Sequence, residues 1–523
     1  MPDRIDISVM NDAAGINNRT LLQLVSDNAE TEFGRKHSFS EIKSPDDYRR
    51  LVPINDYSAF EEYIDRMKNG EKNLLVSDKY DLLLFGCTSG TTGNGGKRIP
   101  VTREHLQRFI KRFDAYADEV YHNAGGKRVH EQIFRTHPGD NDDKLLISEL
   151  INKYKVEWNI LDPDEYVGGA KILFDKQAGD GFFAKAYTML AEENVTVIQA
   201  IYQYDHLRFF TYLEKNIDVV LDAIINKKIP DEIDLSEEVK NALLSLPVSE
   251  KRINDIIREK EKRFDGIALR LWPNLKLLSG IMNYNHESED NLLMRYAKGV
   301  PRYSGFYFST ECYIAEGVGE NDFDHVMIPG IQFLEFIPCD GESEDETCLP
   351  EEVEIGRIYE PVISTFSGLY RYRMGDAVKI TGRIGQSPVF RILGRRSLEI
   401  SIAGEKTSIS QLEDAAALFR KKGVDFSLFC FGPGVDNMYA GYRMVISCSK
   451  EGVDENELSE ILDSCLKKVN TTYKSIREMN FLDPPDVYCV DPAEYFSFLQ
   501  ENNILKGNVK PAHISVQGFE KWR

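Results

Sequence analysis

A glycine- and hydroxyl-rich loop after a short apolar run limits the folds open to this chain. Residues 80–87 read YDLLLFGC, and residues 88–97 read TSGTTGNGGK. A short apolar run bounded by such a loop is typical of a buried strand. Glycines let a backbone approach an anion closely, hydroxyls donate to its oxygens, and a lysine adds positive charge. The pattern therefore predicts a strand that leads into a polyphosphate-binding loop. It is not a Walker loop, because Arg98 rather than Ser or Thr follows Lys97.

The first two thirds of the chain alternate between helical and strand-like patterns. Residues 17–36 and 39–69 are expected to be helices joined by short polar turns, and residues 102–122 are expected to be a helix. The short runs at 171–174 (KILF) and 195–202 (VTVIQAIY) are expected to be strands. Strands that alternate with helices predict an open α/β sheet.

The pattern of apolar and polar residues changes twice towards the C-terminus. From about residue 326, apolar and polar residues alternate as in antiparallel strands. After Gly394 the pattern is a helix, two strands and a second helix, which predicts a small α+β unit. We expect a domain boundary near residues 385–396.

The composition excludes several classes of protein. Among 523 residues, 64 are Lys or Arg and 85 are Asp or Glu, which gives a formal net charge of −21. Such a chain repels nucleic-acid phosphates and anionic lipid, so we expect neither as a partner. No apolar run approaches the ~20 residues that span a membrane. The first 15 residues lack the apolar core of a secretory signal. The eight cysteines form no CxxC pair, and reduced thiols predict a cytoplasmic location.

Three further segments follow the glycine-rich loop, and their order along the chain is informative. Residues 307–311 read YFSTE, residues 368–376 read GLYRYRMGD, and Gly394 and Arg395 open a third segment. With the loop, these resemble the ordered signatures of adenylate-forming enzymes. The resemblance implies that Tyr307 lies against adenine and that Asp376 accepts hydrogen bonds from the ribose hydroxyls. It also implies that a carboxylate, Glu311, holds Mg²⁺, for which it is a suitable hard oxygen ligand.

The remainder of the chain resembles one branch of that superfamily, the Gretchen Hagen three family of acyl acid amido synthetases. The segments 52–57 (VPINDY), 271–276 (LWPNLK) and 333–338 (FLEFIP) are similar to its characteristic segments. The resemblance runs from about residue 20 to the C-terminus. It implies an α/β fold in which a large N-terminal adenylate-forming domain, 1–393, combines mixed sheets with helices and a β-barrel-like part. This large domain would bind ATP and the acyl acid, and a small, mobile α+β domain, 394–523, would follow it.

The family's activity implies ATP and Mg²⁺ as cofactors, and a carboxylic acid and an amino acid as small-molecule substrates. No obligate protein partner is evident. The acid would be converted to an acyl-adenylate, and the amine of the amino acid would then displace AMP. The resemblance assigns ATP or AMP binding to Thr88, Ser89, Gly90, Thr91, Thr92, Gly93, Lys97, Tyr307, Ser309, Thr310, Glu311, Phe333, Asp376 and Arg395. It assigns catalytic roles to Lys510, Lys406 and Glu311, with Glu311 as the metal ligand.

Departures from the family pattern leave the substrate open. Lys510 stands in a tail that resembles that of the amido synthetases, and Lys506 is its rival. Met282, Tyr284 and His286 are candidates for the acyl pocket, but their segment differs from that of the plant members. His286 is also one candidate for the base that deprotonates the amine.

Two alternatives follow from the same residues. A carboxylic acid–CoA or carrier-protein ligase shares the first half-reaction and differs in the acceptor. A catalytically silent nucleotide or metabolite sensor would share only the binding of the nucleotide.

Overall fold

The computed structural model describes the chain in stretches separated by gaps. These stretches are residues 7–87, 97–121, 125–130, 154, 166–173, 180–281, 293–340, 346–395, 399–400, 402, 405, 407–435, 440–449, 453–478, 482–491 and 494–495. The chain divides into two units by its contacts. The larger unit comprises Met1–Met282 and Tyr296–Ile392, and the smaller unit comprises Asn283–Arg295 and Leu393–Arg523.

Helices surround the sheets of the larger unit. Those of the described residues are Ile7–Asn11, Ala13–Asp27, Glu32–Lys36, Pro45–Leu51, Ser58–Lys68, Arg103–Tyr121, Ala170–Leu173, Gly181–Ala191, Gln203–Asn226, Glu237–Ser245, Glu250–Lys260 and Ile267–Leu271. None of the described helices is long and apolar enough to cross a membrane.

The N-terminal helices are shorter than the sequence pattern predicts. The expected helices 17–36 and 39–69 are each interrupted, because local side chains end one helix and cap the next. Thr31 Oγ1 accepts a hydrogen bond from Gly34 N at 2.9 Å, which starts the helix Glu32–Lys36. Ser44 Oγ likewise accepts from Asp47 N at 3.2 Å, and Pro45 occupies the first helical position. Helices joined by short turns are therefore present in this part of the chain, with caps that the sequence pattern did not identify.

Strands β1 (Leu82–Cys87) and β2 (Arg98–Thr102) form an antiparallel pair that flanks the glycine-rich segment. The predicted strand before this segment is thus confirmed. The helix Arg103–Tyr121 follows β2 directly, as the pattern over 102–122 predicts. Residues 88–96 themselves lie outside the described residues.

A four-stranded parallel sheet forms the α/β part of the larger unit. Its order is β3 (Lys127–His130), β4 (Val195–Tyr202), β5 (Leu277–Ile281) and β6 (Arg302–Ser304), and each neighbouring pair is parallel. The prediction of an open α/β sheet is confirmed. The prediction of a strand at 171–174 was wrong, because Ala170–Leu173 is a short helix. A four-residue apolar run does not distinguish the two conformations.

An eight-stranded sheet forms the part of the fold from residue 306 onwards. Its path is β10-β11-β13-β14-β9-β8-β7, with β12 paired to β11. The strands are β7 (Phe306–Phe308), β8 (Tyr313–Gly317), β9 (His325–Met327), β10 (Phe333–Pro338), β11 (Ile358–Ser364), β12 (Tyr372–Arg373), β13 (Asp376–Ile384) and β14 (Ser387–Arg395). This confirms the antiparallel strands expected after residue 326.

The N-terminal helices cover the edge of this sheet and pack with it in one hydrophobic core of the described residues. Asn17 Nδ2 donates to Leu334 O at 3.0 Å, and Asn17 Oδ1 accepts from Leu334 N at 3.0 Å. The helix Ala13–Asp27 thereby satisfies backbone groups of the edge strand β10, which would otherwise be open to pairing. Phe33, Phe60 and Tyr370 pack together in this core with almost no exposed surface.

The smaller unit is an α+β structure, as predicted. The strand pairs are β15 (Glu399–Ile400) with β16 (Thr407–Ser408), and β17 (Phe429–Val435) with β18 (Ala440–Ser447), which is parallel to β19 (Asp486–Val490). Its helices are Ile409–Lys421, Glu455–Val469 and Thr471–Glu478. Ser408 and Gln411 form a capping box at the first of these helices.

Candidate active site

The loop lysine is held by two tyrosines. Lys97, the exposed residue just before β2, donates from Nζ to Tyr372 Oη at 3.2 Å. The same ammonium lies 5.5 Å from the centroid of the Tyr57 ring and 5.7 Å from that of the Tyr372 ring. Aromatic faces attract a cation at such distances. The positive charge at the end of the glycine-rich segment therefore has a defined position in the larger unit.

The predicted magnesium ligand lies beside the same tyrosine. Tyr372 Oη donates to Glu311 Oε1 at 3.4 Å, and only 8% of Glu311 is exposed. Glu311 N donates to Ser309 Oγ at 3.2 Å, and Ser309 N donates to Cys312 O at 2.8 Å. These bonds close the turn between β7 and β8 and present the carboxylate from it. Thr310, in the same turn, is 6% exposed.

The residues predicted to contact adenine and ribose, Tyr307 and Asp376, are hydrogen-bonded to each other. Tyr307 Oη donates to Asp376 Oδ2 at 2.7 Å, and both side chains are buried. The Tyr307 ring also meets Phe390 edge-on at 6.1 Å between centroids. Strands β7 and β13 thus bring together two residues that are 69 positions apart in the sequence.

The pKa of the buried thiol of Cys312 is affected by two nearby carboxylates. Burial raises the pKa of Cys312 well above its ordinary value, and the charges of Glu311 and Asp376 raise it further. Both carboxylates are therefore close enough to the thiol to act on it. A region with two such carboxylates and one lysine favours a ligand that brings cations as well as phosphates.

The chemistry of Glu311 fits a magnesium ion bound together with a nucleotide. Among the described residues, no group of three or more His, Cys, Asp or Glu side chains is placed to hold a metal. Mg²⁺ bound with ATP usually takes one or two carboxylates, and phosphate oxygens and water complete its coordination. A single buried carboxylate near the phosphate-loop lysine is suited to that arrangement.

A buried ion pair fixes the segment that carries Tyr372 and Asp376. Arg371 Nε and Nη2 donate to the two oxygens of Glu335, each at 3.0 Å, and both residues are almost completely buried. Arg371 Nη1 also donates to Val52 O at 2.8 Å. Arg371 therefore connects β10, the Val52 segment and the residues of β12 that follow it.

Two further contacts hold the same segment from either side. Asn55 N donates to Arg371 O at 2.8 Å, and Asn55 O accepts from Arg373 N at 2.9 Å, as in a short additional strand. Arg373 makes two bonds to Glu360, whose Oε1 also accepts from Gly375 N at 3.1 Å. Asp376 follows at the start of β13.

Sequence reasoning missed Tyr372, Asn55, Glu335 and Glu360 as residues of this site. Tyr372 stood inside a recognised segment, but the pattern that identified the segment draws attention to its aspartate. Asn55 stood inside a segment used only for the resemblance. The pairing of residues about 315 positions apart leaves no local signal in one sequence.

Two residues predicted to bind the nucleotide, Phe333 and Arg395, are not joined to the other site residues by the contacts described above. Phe333 is 1% exposed, and its ring meets that of Tyr48 edge-on at 5.8 Å in the core. Arg395 is the last residue of β14. Both roles stay predictions.

Many predicted site residues lie outside the described residues. They are Thr88, Ser89, Gly90, Thr91, Thr92 and Gly93 of the loop, Met282, Tyr284 and His286 of the expected acyl pocket, and Lys406, Lys506 and Lys510. Met282 directly follows β5, so the acyl-pocket segment starts at the carboxyl end of a parallel strand.

Polar side chains cluster near the carboxyl ends of the same parallel strands. Gln203 Nε2 donates to Leu278 O at 3.2 Å and to Tyr303 O at 3.3 Å. His206 Nε2 lies 3.1 Å from Ser279 O, and Tyr166 Oη donates to Gln199 Oε1 at 2.9 Å. Ligands of open α/β sheets bind at this edge. The sequence analysis did not single out these residues.

The fold is similar to that of a solved acyl acid amido synthetase. The solved structure of the GH3.15 acyl acid amido synthetase superposes with a TM-score of 0.82 and 22% identity, covering 97% of this chain and 93% of that chain. Likeness at this identity concerns the fold.

Family models identify the branch. The GH3 family N-terminal domain matches residues 7–301, the central domain matches 325–395, and the C-terminal domain matches 410–517. The chain belongs to the GH3 family, which confirms the resemblance to the Gretchen Hagen three branch.

Two relatives give the degree of similarity. The indole-3-acetic acid-amido synthetase GH3.15 of Arabidopsis thaliana is 27% identical over 417 residues, which are 75% of this chain and 69% of that protein. The indole-3-acetic acid-amido synthetase GH3.8 of Oryza sativa subsp. indica is 24% identical over 522 residues, which are 94% of this chain and 86% of that protein.

Proposed function

We propose that this chain is an ATP-dependent, AMP-forming acyl acid amido synthetase. The observation that carries the proposal is the set of polar contacts Lys97–Tyr372–Glu311 and Tyr307–Asp376 within one unit of a GH3-family fold. They join the residues expected for phosphate, metal, adenine and ribose. The two sequence relatives and the solved structure reported above are named amido synthetases, which supports the same activity.

In the first step, a carboxylate oxygen of the acid attacks the α-phosphorus of ATP. The bond from that phosphorus to the bridging oxygen breaks, and pyrophosphate leaves with the electron pair. The protein's task is to position the reactants and to neutralise charge. Lys97 and the loop 88–93 would hold the β- and γ-phosphates, and Asp376 would accept hydrogen bonds from the ribose hydroxyls. Glu311 would hold Mg²⁺, and the bound ion would supply charge neutralisation on the pyrophosphate.

In the second step, the amine of an amino acid attacks the acyl carbon of the adenylate. The carbon–oxygen bond to AMP breaks, AMP leaves, and the nitrogen loses a proton. Lys510 or Lys406 would contact the α-phosphate or the acyl oxygen, as the family resemblance implies. His286 stays a candidate for the base. The acyl group would lie at the carboxyl edge of the parallel sheet, where the segment of Met282, Tyr284 and His286 begins.

A product assay tests the choice of acceptor. The full chain is incubated with ATP, Mg²⁺ and a panel of aryl, indolyl and fatty acids, with either amino acids or coenzyme A. We expect AMP release that needs both an acid and an amino acid, and a product whose mass equals acid plus amino acid minus water. A thioester formed with coenzyme A instead would contradict amide formation and favour the thioester ligase. ATP binding without any product would favour the sensor.

A matched pair of variants tests the ribose carboxylate in the same assay. Asp376→Asn is expected to raise the KM for ATP about tenfold, because hydrogen bonds to a charged acceptor are weakened. Asp340→Asn, at a carboxylate whose side chain is 66% exposed, is expected to leave the KM unchanged.

We also propose a cytoplasmic location for this chain, as expected from its content of reduced thiols.

A further inference from the structure

The hydroxyl of Tyr372 is the shared partner of two groups with opposite charges. It accepts a hydrogen bond from Lys97 Nζ at 3.2 Å and donates one to Glu311 Oε1 at 3.4 Å. A phenolic hydroxyl carries one donor and can accept as well, so it can serve both groups at once. The ammonium and the carboxylate are 214 positions apart in the sequence, and this one oxygen atom lies between them.

The position of that oxygen is fixed by the backbone and by the core. Tyr372 pairs with Ile363 through β12 and β11, and its backbone is bridged to Asn55. Its neighbours Arg371 and Arg373 are held by buried carboxylates on either side. The residue is 3% exposed, and its ring lies 6.3 Å from that of Phe60. The hydroxyl therefore has little freedom to move away from its two partners.

The proposed function gives the two partners different tasks. Lys97 is expected to meet phosphate oxygens, whereas Glu311 is expected to hold Mg²⁺. The two act on one triphosphate only if their separation is maintained. Direct contact between the ammonium and the carboxylate would neutralise both charges and remove them from the ligand. A neutral hydroxyl between them prevents that collapse while it orients both groups.

We propose that Tyr372 is a positioning residue that sets the separation and orientation of Lys97 and Glu311 for the magnesium–nucleotide complex. The inference rests on the proposed function and deepens it. It assigns to Tyr372 a role that neither the glycine-rich loop nor Asp376 can fulfil. Since the hydroxyl orients the metal-holding carboxylate, its removal changes the dependence on Mg²⁺ rather than only the stability of the fold.

The test is the variant Tyr372→Phe in the full chain, which keeps the ring and the aromatic contact with Lys97. The matched control is Tyr359→Phe. Tyr359 is a fully buried tyrosine of the same core, and its hydroxyl accepts from Glu354 N at 2.9 Å. ATP binding is measured by calorimetry over a series of Mg²⁺ concentrations. Acid-dependent pyrophosphate exchange and thermal unfolding are measured on the same samples.

We expect Tyr372→Phe to raise the Mg²⁺ concentration for half-maximal ATP binding about tenfold, the size typical of a lost hydrogen bond to a charged group. The exchange rate at saturating ATP and Mg²⁺ is expected to fall by a similar factor. Tyr359→Phe should lower only the unfolding temperature. Equal Mg²⁺ dependence and exchange rate in Tyr372→Phe and wild type would overturn the inference and leave the hydroxyl a core hydrogen bond. Absence of Mg²⁺-dependent ATP binding in the wild type would instead count against the proposed function itself.

Discussion

The helix Arg103–Tyr121 carries in its first turn a histidine without exposed surface. His105 packs against Phe109, with 4.4 Å between ring centroids. Burial lowers the pKa of His105 from 6.5 to about 3, and the positive charge of Arg108 contributes. The imidazole is therefore neutral in the folded chain at neutral pH. Sequence inspection found nine dispersed histidines and gave no means to identify the buried one.

The depressed pKa of His105 predicts a loss of stability in acid. The unfolded chain binds a proton at this residue below pH 6.5, whereas the folded chain resists protonation down to about pH 3. Stability is thus fully present above pH 6.5 and falls by up to about 1.4 kcal/mol per pH unit below it. Between pH 7 and 5, wild type should lose about 2 kcal/mol more than His105→Leu, measured by urea unfolding. Parallel pH profiles for the two proteins would show that His105 does not cause the loss.

Among the elements, the short strand β12 shows how the site depends on distant parts of the chain. Two residues of β12 gain their position from β11, from the Asn55 segment and from buried carboxylates of β10 and β11. Elements with strong local patterns, such as β4 and the helix Arg103–Tyr121, were predictable from the sequence. The register of β12 was not, because pairing between distant segments leaves no periodicity in one sequence.

The buried pair Arg371–Glu335 is expected to dominate the stability of this arrangement. Arg371→Met removes the bidentate partner of a carboxylate that is 1% exposed. Loss of one partner of a buried pair typically costs about 3–5 kcal/mol, because the other charge stays buried. Urea unfolding of the variant should show a loss of that size.

Two companion variants make the prediction about Arg371 specific. Arg357→Met removes an arginine from the exposed carboxylate of Asp340 and should barely change the unfolding midpoint. The double variant Arg371→Met/Glu335→Leu should recover much of the stability lost in Arg371→Met, since no unpaired charge is left. A double variant as unstable as the sum of its single variants would contradict a coupled pair.

For the whole molecule, the class of fold and the family were accessible from ordered motifs alone. The segments 88–97, 307–311 and 368–376 led to the adenylate-forming fold, and the segments at 52–57 and 271–276 led to the GH3 branch. The contacts within the site were less accessible. Tyr307 was expected against adenine, yet nothing in its spacing indicated the hydrogen bond to Asp376. Motifs identify which residues belong to the site, whereas their mutual contacts depend on how strands distant in the sequence are arranged.

The central claim is that this chain activates a carboxylic acid as its adenylate. The most direct measurement is exchange of labelled pyrophosphate into ATP, with each acid of the panel and no amine present. The variant Glu311→Gln is compared with Glu30→Gln, at a surface carboxylate whose side chain is 87% exposed. We predict exchange that requires one class of acid, persists in Glu30→Gln and falls at least a hundredfold in Glu311→Gln, on the order of 3 kcal/mol of transition-state stabilisation. Exchange that is absent with every acid while ATP still binds would contradict the claim. Exchange that is undiminished in Glu311→Gln would instead contradict the role of Glu311 as the magnesium ligand.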